Sequence, residues 1–124
     1  MNNNLATWFE LPAADLGRAQ DFYRHVLNST FKLEEMNDMN LAIFEAEEGA
    51  VSGMLVQGEC YQPSETGAVV YFNGGADLNE PLAKVEAGGG RVLVPKTPIH
   101  DGDCGYFALF IDSEGNRVGL YSPA

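Results

Sequence analysis

The chain has 124 residues, with 7 Lys+Arg against 18 Asp+Glu, giving a formal charge of −11. That length suits one compact unit, and 45% hydrophobic residues supply a core that a disordered acidic tail would lack. The negative charge excludes phosphate-backbone binding to nucleic acid and disfavours anionic membrane surfaces.

The N-terminal Met-Asn-Asn-Asn-Leu has neither the basic start nor the apolar run of a signal peptide. No apolar run approaches the roughly 20 residues of a spanning helix. A cytoplasmic address is therefore expected, with both cysteines reduced. Cys60 and Cys104 form no C-x-x-C pair, so a cysteine-rich structural zinc site is not expected. The two histidines, His25 and His100, leave little nitrogen for a soft metal, although carboxylates are plentiful.

In chain order, residues 5–11 are β-prone and closed by Pro12. Leu16, Ala19, Tyr23 and Val26 have helical spacing behind an Asp15 N-cap, and Asn28-Ser29 ends that helix. Three strands are predicted at about residues 30–36, 40–46 and 51–58, with Glu47-Glu48-Gly49 as a turn. Residues 60–66 form a polar connector containing Pro63 and Ser64. A strand follows at 68–72. Asp77-Leu78-Asn79-Glu80 has the spacing of a capping box and predicts a helix through Leu82, Val85 and Ala87. Gly88-Gly89-Gly90 stops it; because these glycines follow a helix, they form no phosphate loop. Strands at 91–94, 106–111 and 117–121 close the chain, the last two joined by Ser113-Glu114-Gly115-Asn116.

The order β-α-β-β-β thus occurs twice, in modules of about 5–59 and 67–122. The capping aspartates lie 62 residues apart and the Glu-Gly turns 66 apart, as a duplication requires. The predicted fold class is α+β: two paired modules forming a cupped mixed sheet, together one domain over 1–124. A cavity between curved sheets is where a small ligand is expected.

Trp8-Phe9-Glu10-Leu11-Pro12, Asp15-Leu16, Phe22-Tyr23 and Glu114-Gly115-Asn116-Arg117 resemble the vicinal oxygen chelate superfamily. That superfamily includes glyoxalase I, bleomycin-resistance proteins and extradiol dioxygenases. The resemblance implies a cupped, glyoxalase-like sheet, often completed by a homodimer. It also implies, in the metal enzymes, four His, Glu or Gln ligands on the first and last strands of each module. Carried over by position, those slots fall at Trp8, about Ala68, near Gly53 and at Gly119. None of these side chains binds a metal, so no metal and no other cofactor is expected.

Trp8 and Glu10 share one strand face by alternation. Glu10 is the candidate catalytic residue, as a general base, or a binder of a ligand amine; the competing reading is a carboxylate hydrogen-bonded to a neighbouring strand or to the connector. Trp8 is either a stacking wall or core filler. Tyr121 shares a face with Gly119 and is either a donor to ligand oxygen or a rim residue. Lys96, between Pro95 and Pro98, is placed at the cup mouth for an anionic ligand, with solubility as the competing reason. Trp8, Glu10, Met54, Tyr121 and Lys96 make up the candidate ligand-binding set. The facing of Met54, Phe44, Tyr71 and Tyr106 is open without register.

His25 lies on a solvated helix stretch. His100, with Asp101 and Asp103, reads as a turn in preference to a metal or His–Asp site. Cys104 has no basic neighbour to activate it. Two functional readings follow. One is a metal-independent small-molecule binder of the bleomycin-resistance kind, the acidic charge suiting a cationic ligand. The other is a lyase, isomerase or dioxygenase acting through Glu10 or a non-standard metal site.

Overall fold

The computed structural model describes residues 4–124. The first three, part of the N-terminal stretch read above, lie outside the described residues. The elements are β1 (Trp8–Pro12), α1 (Leu16–Leu27), β2 (Phe31–Met36), β3 (Met39–Phe44) and β4 (Ser52–Gln57). The second module has β5 (Tyr71–Asn73), α2 (Asn79–Leu82), β6 (Arg91–Pro98), β7 (Tyr106–Ile111) and β8 (Arg117–Ser122). Each module makes a four-stranded mixed sheet, ordered β1-β4-β3-β2 and β5-β8-β7-β6. β1 runs parallel to β4 and β5 parallel to β8, while the other pairs are antiparallel. The repeated β-α-β-β-β order is therefore present, and the fold is the α+β arrangement expected.

The first helix forms as its sequence dictates. The Asp15 carboxylate accepts from the Arg18 amide at 3.0 Å, and Asn28 closes the helix in the left-handed region at φ 57°. Its stripe of Ala19, Phe22, Tyr23 and Val26 is buried. β2 and β3 turn through Asn37 and Asp38, both with positive φ, the geometry of a two-residue hairpin.

The second helix departs from expectation. α2 covers four residues, and Asp77 does not close a capping box. Its carboxylate accepts from the Asn79 amide at 2.9 Å, while the Leu78 amide is satisfied by the buried Ser122 hydroxyl at 3.0 Å. Pro81 supplies no amide to an i→i−4 ladder. Beyond it the backbone coils in turns, such as Lys84 N to Pro81 O, as far as Gly90. β6 in turn runs to Pro98, four residues past its predicted end, with register shifts around Val94.

α1 belongs to the first module but packs against both sheets. Tyr23 meets Phe44 of β3 and Phe72 of β5 at ring-centroid distances of 5.6 and 5.3 Å. Phe9 touches the same two rings, each at 5.6 Å. Phe22 packs on Phe110 of β7 at 5.9 Å. One apolar core thus unites the helix-side faces of the two sheets.

The β7–β8 turn locks the modules together. Asp112 is 2% exposed and accepts from the Tyr23 hydroxyl at 2.6 Å and from the Glu114 and Asn116 amides at 2.9 Å. Asn116 donates to the Pro12 carbonyl at 2.7 Å. Glu114 accepts two bonds from the Arg18 guanidinium, at 2.7 and 3.0 Å, and one from the Asp15 amide at 2.8 Å. Burial pushes the Asp112 carboxyl above its ordinary value, against the pull of the Tyr23 and Asn116 bonds. At Glu114 burial also pushes upward, but the Arg18, Asp15 and Ser113 bonds prevail and its pKa is lowered.

Tyr23→Phe removes one donor from a buried carboxylate and is expected to cost about 1–3 kcal/mol in urea unfolding. A loss below ~0.5 kcal/mol would show the bond to be dispensable. The lowered Glu114 pKa gives stability that is present above the ordinary value of 4.5 and lost as pH falls through the folded value. Asp112 has the opposite sign, because folding favours its protonated form. Glu114→Gln should therefore flatten the fall in stability below about pH 4.5, and an unchanged acid limb would contradict that assignment.

Candidate functional site

Register decides which strand residues share a face. Phe9 and Leu11 of β1 enter the core, so Trp8 and Glu10 lie on the opposite face, away from α1. Trp8 pairs with Ser52 and Glu10 with Met54 across the parallel β1–β4 ladder. Leu41, Met54 and Val56 form a second small cluster there, flanked by Met39, Ile43 and Tyr61. The structure thus brings together three of the five candidate ligand-binding residues: Trp8, Glu10 and Met54.

The second module repeats the arrangement. Phe72 enters the core and Tyr71 faces away from it, paired with Gly119 across the parallel β5–β8 ladder. Tyr121 lies on that same face, half-exposed, with its hydroxyl donating to the Cys104 carbonyl at 2.9 Å. Phe107 and Leu109 of β7 sit opposite Tyr121 and Gly119. Of the residues whose facing was open, Phe44 is core, Tyr71 lines the outward face and Tyr106 packs against the core.

Lys96 is not at the cup mouth. Its ammonium pairs with Asp77 at 2.9 Å and lies 4.6 Å from the centroid of the Tyr106 ring, on the helix side of the second sheet. The Asn79 amide and the Lys96 ammonium together lower the Asp77 pKa. The bulged β6 carries Lys96 away from the face on which an anionic ligand was expected.

Two positional assignments shift. Trp8 and Tyr71 each lie eight residues before the first helical residue of their modules, so Tyr71, not Ala68, is the counterpart of Trp8. Asp77 misled because it stands outside the cap; Leu78 is the N-cap residue. Gly53 faces Phe9 on the core side, and a Cβ there would lie 2.4 Å from the Phe9 carbonyl oxygen. The outward position is Ser52. The four equivalent slots are therefore Trp8, Ser52, Tyr71 and Gly119, two aromatic rings each paired with a small residue. Their side chains offer no imidazole or carboxylate and do not fit the His, Glu or Gln donor set of a divalent metal. Among the described residues, no group of three His, Cys, Asp or Glu side chains converges elsewhere. His100 and Asp101 occupy left-handed turn positions, at φ 51° and 57°.

Each small residue has its use. At Gly119 an added Cβ would meet the Tyr71 ring at 2.5 Å, so the ring lies against bare backbone. Between the modules opens a cleft of about 670 Å³ lined by Trp8, Ser52, Tyr71 and Asn73, with Phe9 and Phe72 among its other walls. Glu45 is the charged residue among the described residues lining it. At the other end of the first face, the Tyr61 hydroxyl donates to Glu10 at 3.0 Å. That bond raises the Tyr61 pKa above 10. Tyr61 carries no signal in the residue pattern, because it lies in an irregular connector.

Residues 6–46 match a family model described as bleomycin resistance protein-like N-terminal. No match emerges among curated protein sequences. Glyoxalase I from Zea mays superposes with a TM-score of 0.70 at 20% identity, over 94% of this chain and 45% of that one. This chain therefore spans less than half the length of the maize protein. A genomically encoded fosfomycin resistance protein from Listeria monocytogenes gives 0.71 at 17% identity, covering 98% and 92%. A glyoxylase/bleomycin resistance protein/dioxygenase domain from Frankia gives 0.73 at 12%, covering 98% of each. The chain thus shares the paired-module fold of these glyoxalase-like structures, the fold its motifs implied. The family-model match covers β1 to β3 of the first module and stops short of β4.

Gly53→Ala should force β1 from β4 and cost about 1–3 kcal/mol in urea unfolding. A neutral effect would show that Gly53 does not face Phe9.

Proposed function

We propose that the protein binds a small molecule in the cup without a metal or other cofactor. The observation that carries this reading is the pairing of Trp8 with Ser52 and of Tyr71 with Gly119 at the four equivalent slots. An aromatic ring beside a small residue presents a flat apolar surface, suited to stacking a planar ligand. A volume of about 670 Å³ suits a molecule of drug size. Glu45 at the cleft and a net charge of −11 favour a cation, which the rings would also attract through their faces.

The outward faces of the two sheets point away from the shared core, so neither closes over a ligand within one chain. A homodimer that sets one module's face against that of a second chain would complete the cup. Half-exposed Trp8, Tyr71 and Tyr121 on those faces support it. A cytoplasmic setting belongs to the same proposal, and both cysteines are free thiols. Among the described residues no helix is long and apolar enough to cross a membrane.

Proflavine, a planar cationic dye, tests the reading. Calorimetric titration should show saturable binding that survives EDTA dialysis, with light scattering reporting a dimer. Trp8→Ala and Tyr71→Ala should each weaken binding by about tenfold, the worth of roughly 1.4 kcal/mol of stacking. Indifference of binding to both substitutions, or one tightly held Zn, Ni, Fe or Mn per chain by elemental analysis, would overturn the proposal.

A further inference from the structure

The connector does more than join the modules. Leu41, Met54 and Val56 are 5%, 6% and 0% exposed, although they lie on the sheet face turned away from α1. Among the described residues, no helix residue belongs to that cluster. Tyr61 covers that face in part, packing its ring against the cluster and placing its hydroxyl 3.0 Å from Glu10. Glu10 and Met54 are register partners, one alternation beyond the Trp8–Ser52 pair, about 7 Å along the strand. Tyr61 therefore sits where a ligand stacked on Trp8 would extend.

The strap is anchored unevenly. Its second half is held by backbone bonds: the Ser64 amide to the Asn116 side chain and the Arg117 amide to the Ser64 carbonyl, both at 3.2 Å. The Thr66 amide adds a bond to the Ser64 hydroxyl at 3.0 Å. Its first half turns on itself through the Tyr61 amide and the Gly58 carbonyl. There the bond that crosses to the sheet is the Tyr61 hydroxyl on Glu10. One phenol bond and one ring contact hold down a segment whose far end is fixed.

We propose that Tyr61 is a built-in plug, displaced when a ligand's donor group takes its place on Glu10. This rests on the small-molecule reading above and adds its regulation and its selectivity. A cationic N–H donor gains a full ion pair where the phenol made a neutral-to-ionic bond, so the exchange favours cations. Neutral molecules gain nothing electrostatically over Tyr61, and anions lose. The closed plug also lowers apparent affinity by the fraction of molecules that are open.

The test uses the full chain carrying ¹³C-methyl methionine, comparing wild type, Tyr61→Phe and Tyr61→Ala. Met39 and Met54 belong to the plugged cluster, and their methyl shifts report the Tyr61 ring without any ligand. Tyr61→Phe keeps the ring but cuts the Glu10 bond; its Met39 and Met54 signals should move toward those of Tyr61→Ala. Proflavine should bind Tyr61→Phe about tenfold more tightly than wild type, in keeping with one released bond to a charged group. Signals that stay at the wild-type positions overturn the plug. Weaker proflavine binding by Tyr61→Phe also overturns it, making the hydroxyl part of the binding wall. Methyl signals that move while no variant binds proflavine sustain the plug and count against the small-molecule reading instead.

Discussion

The buried Asp112 carboxylate is the interaction on which the architecture turns. A carboxylate 2% exposed is costly to hold unless its lone pairs are filled. Here the Tyr23 hydroxyl, two amides of its own turn and the Asn116 side chain fill them. Tyr23 comes from the first module and Asp112 from the second, so satisfying the charge requires α1 to lie on the second sheet. Glu114 reinforces the same docking from the surface through Arg18 and the Asp15 amide. The helix start that Asp15 caps is thus also the point at which the second module's turn grips the first.

That docking determines which sheet faces are left uncovered by the core. The helix-side faces of both sheets share one aromatic core, in which Phe9, Tyr23, Phe44 and Phe72 contact one another at 5.3 to 5.6 Å. The opposite faces are left looking outward, and strand alternation puts Trp8, Glu10, Tyr71 and Tyr121 on them. Site and core are two sides of the same strands. Gly53 shows how tightly the sides are coupled, since a methyl group on its inner side would collide with Phe9 and disturb the Trp8–Ser52 ladder beside it.

The legible parts of the sequence were those whose physics is local. Helical spacing and the Asp15 cap placed α1, and alternation placed Trp8 with Glu10. The Asp-x-Glu-Gly-Asn turn was recognisable as a motif, though its reason, a carboxylate partnered 89 residues away by Tyr23, was not. Asp77 imitated a capping box because the true partner of the Leu78 amide is Ser122, 44 residues on. Lys96 lies elsewhere because the stretch between Pro95 and Pro98 is not a loop but the end of β6, whose register shifts bring its ammonium to Asp77. Tyr61 is not legible in the sequence, because a connector has no period from which to infer a face.

The surplus of acid is distributed by the same logic. Asp112 and Glu114 hold the modules together, Asp15 caps α1, Asp77 neutralises Lys96, and Glu10 is engaged by Tyr61. Much of the remainder lies where a sheet is vulnerable. β2 is the edge of the first sheet, and its Lys32, Glu34 and Glu35 are all exposed beside half-exposed Leu33 and Met36. An apolar edge strand without charge would template pairing with another chain. Glu34 and Glu35 project to opposite faces of that edge, so a strand paired there would lie beside a carboxylate on both faces. The acidity of this edge thereby guards the one strand of the first sheet that has charged residues along both faces of an open edge.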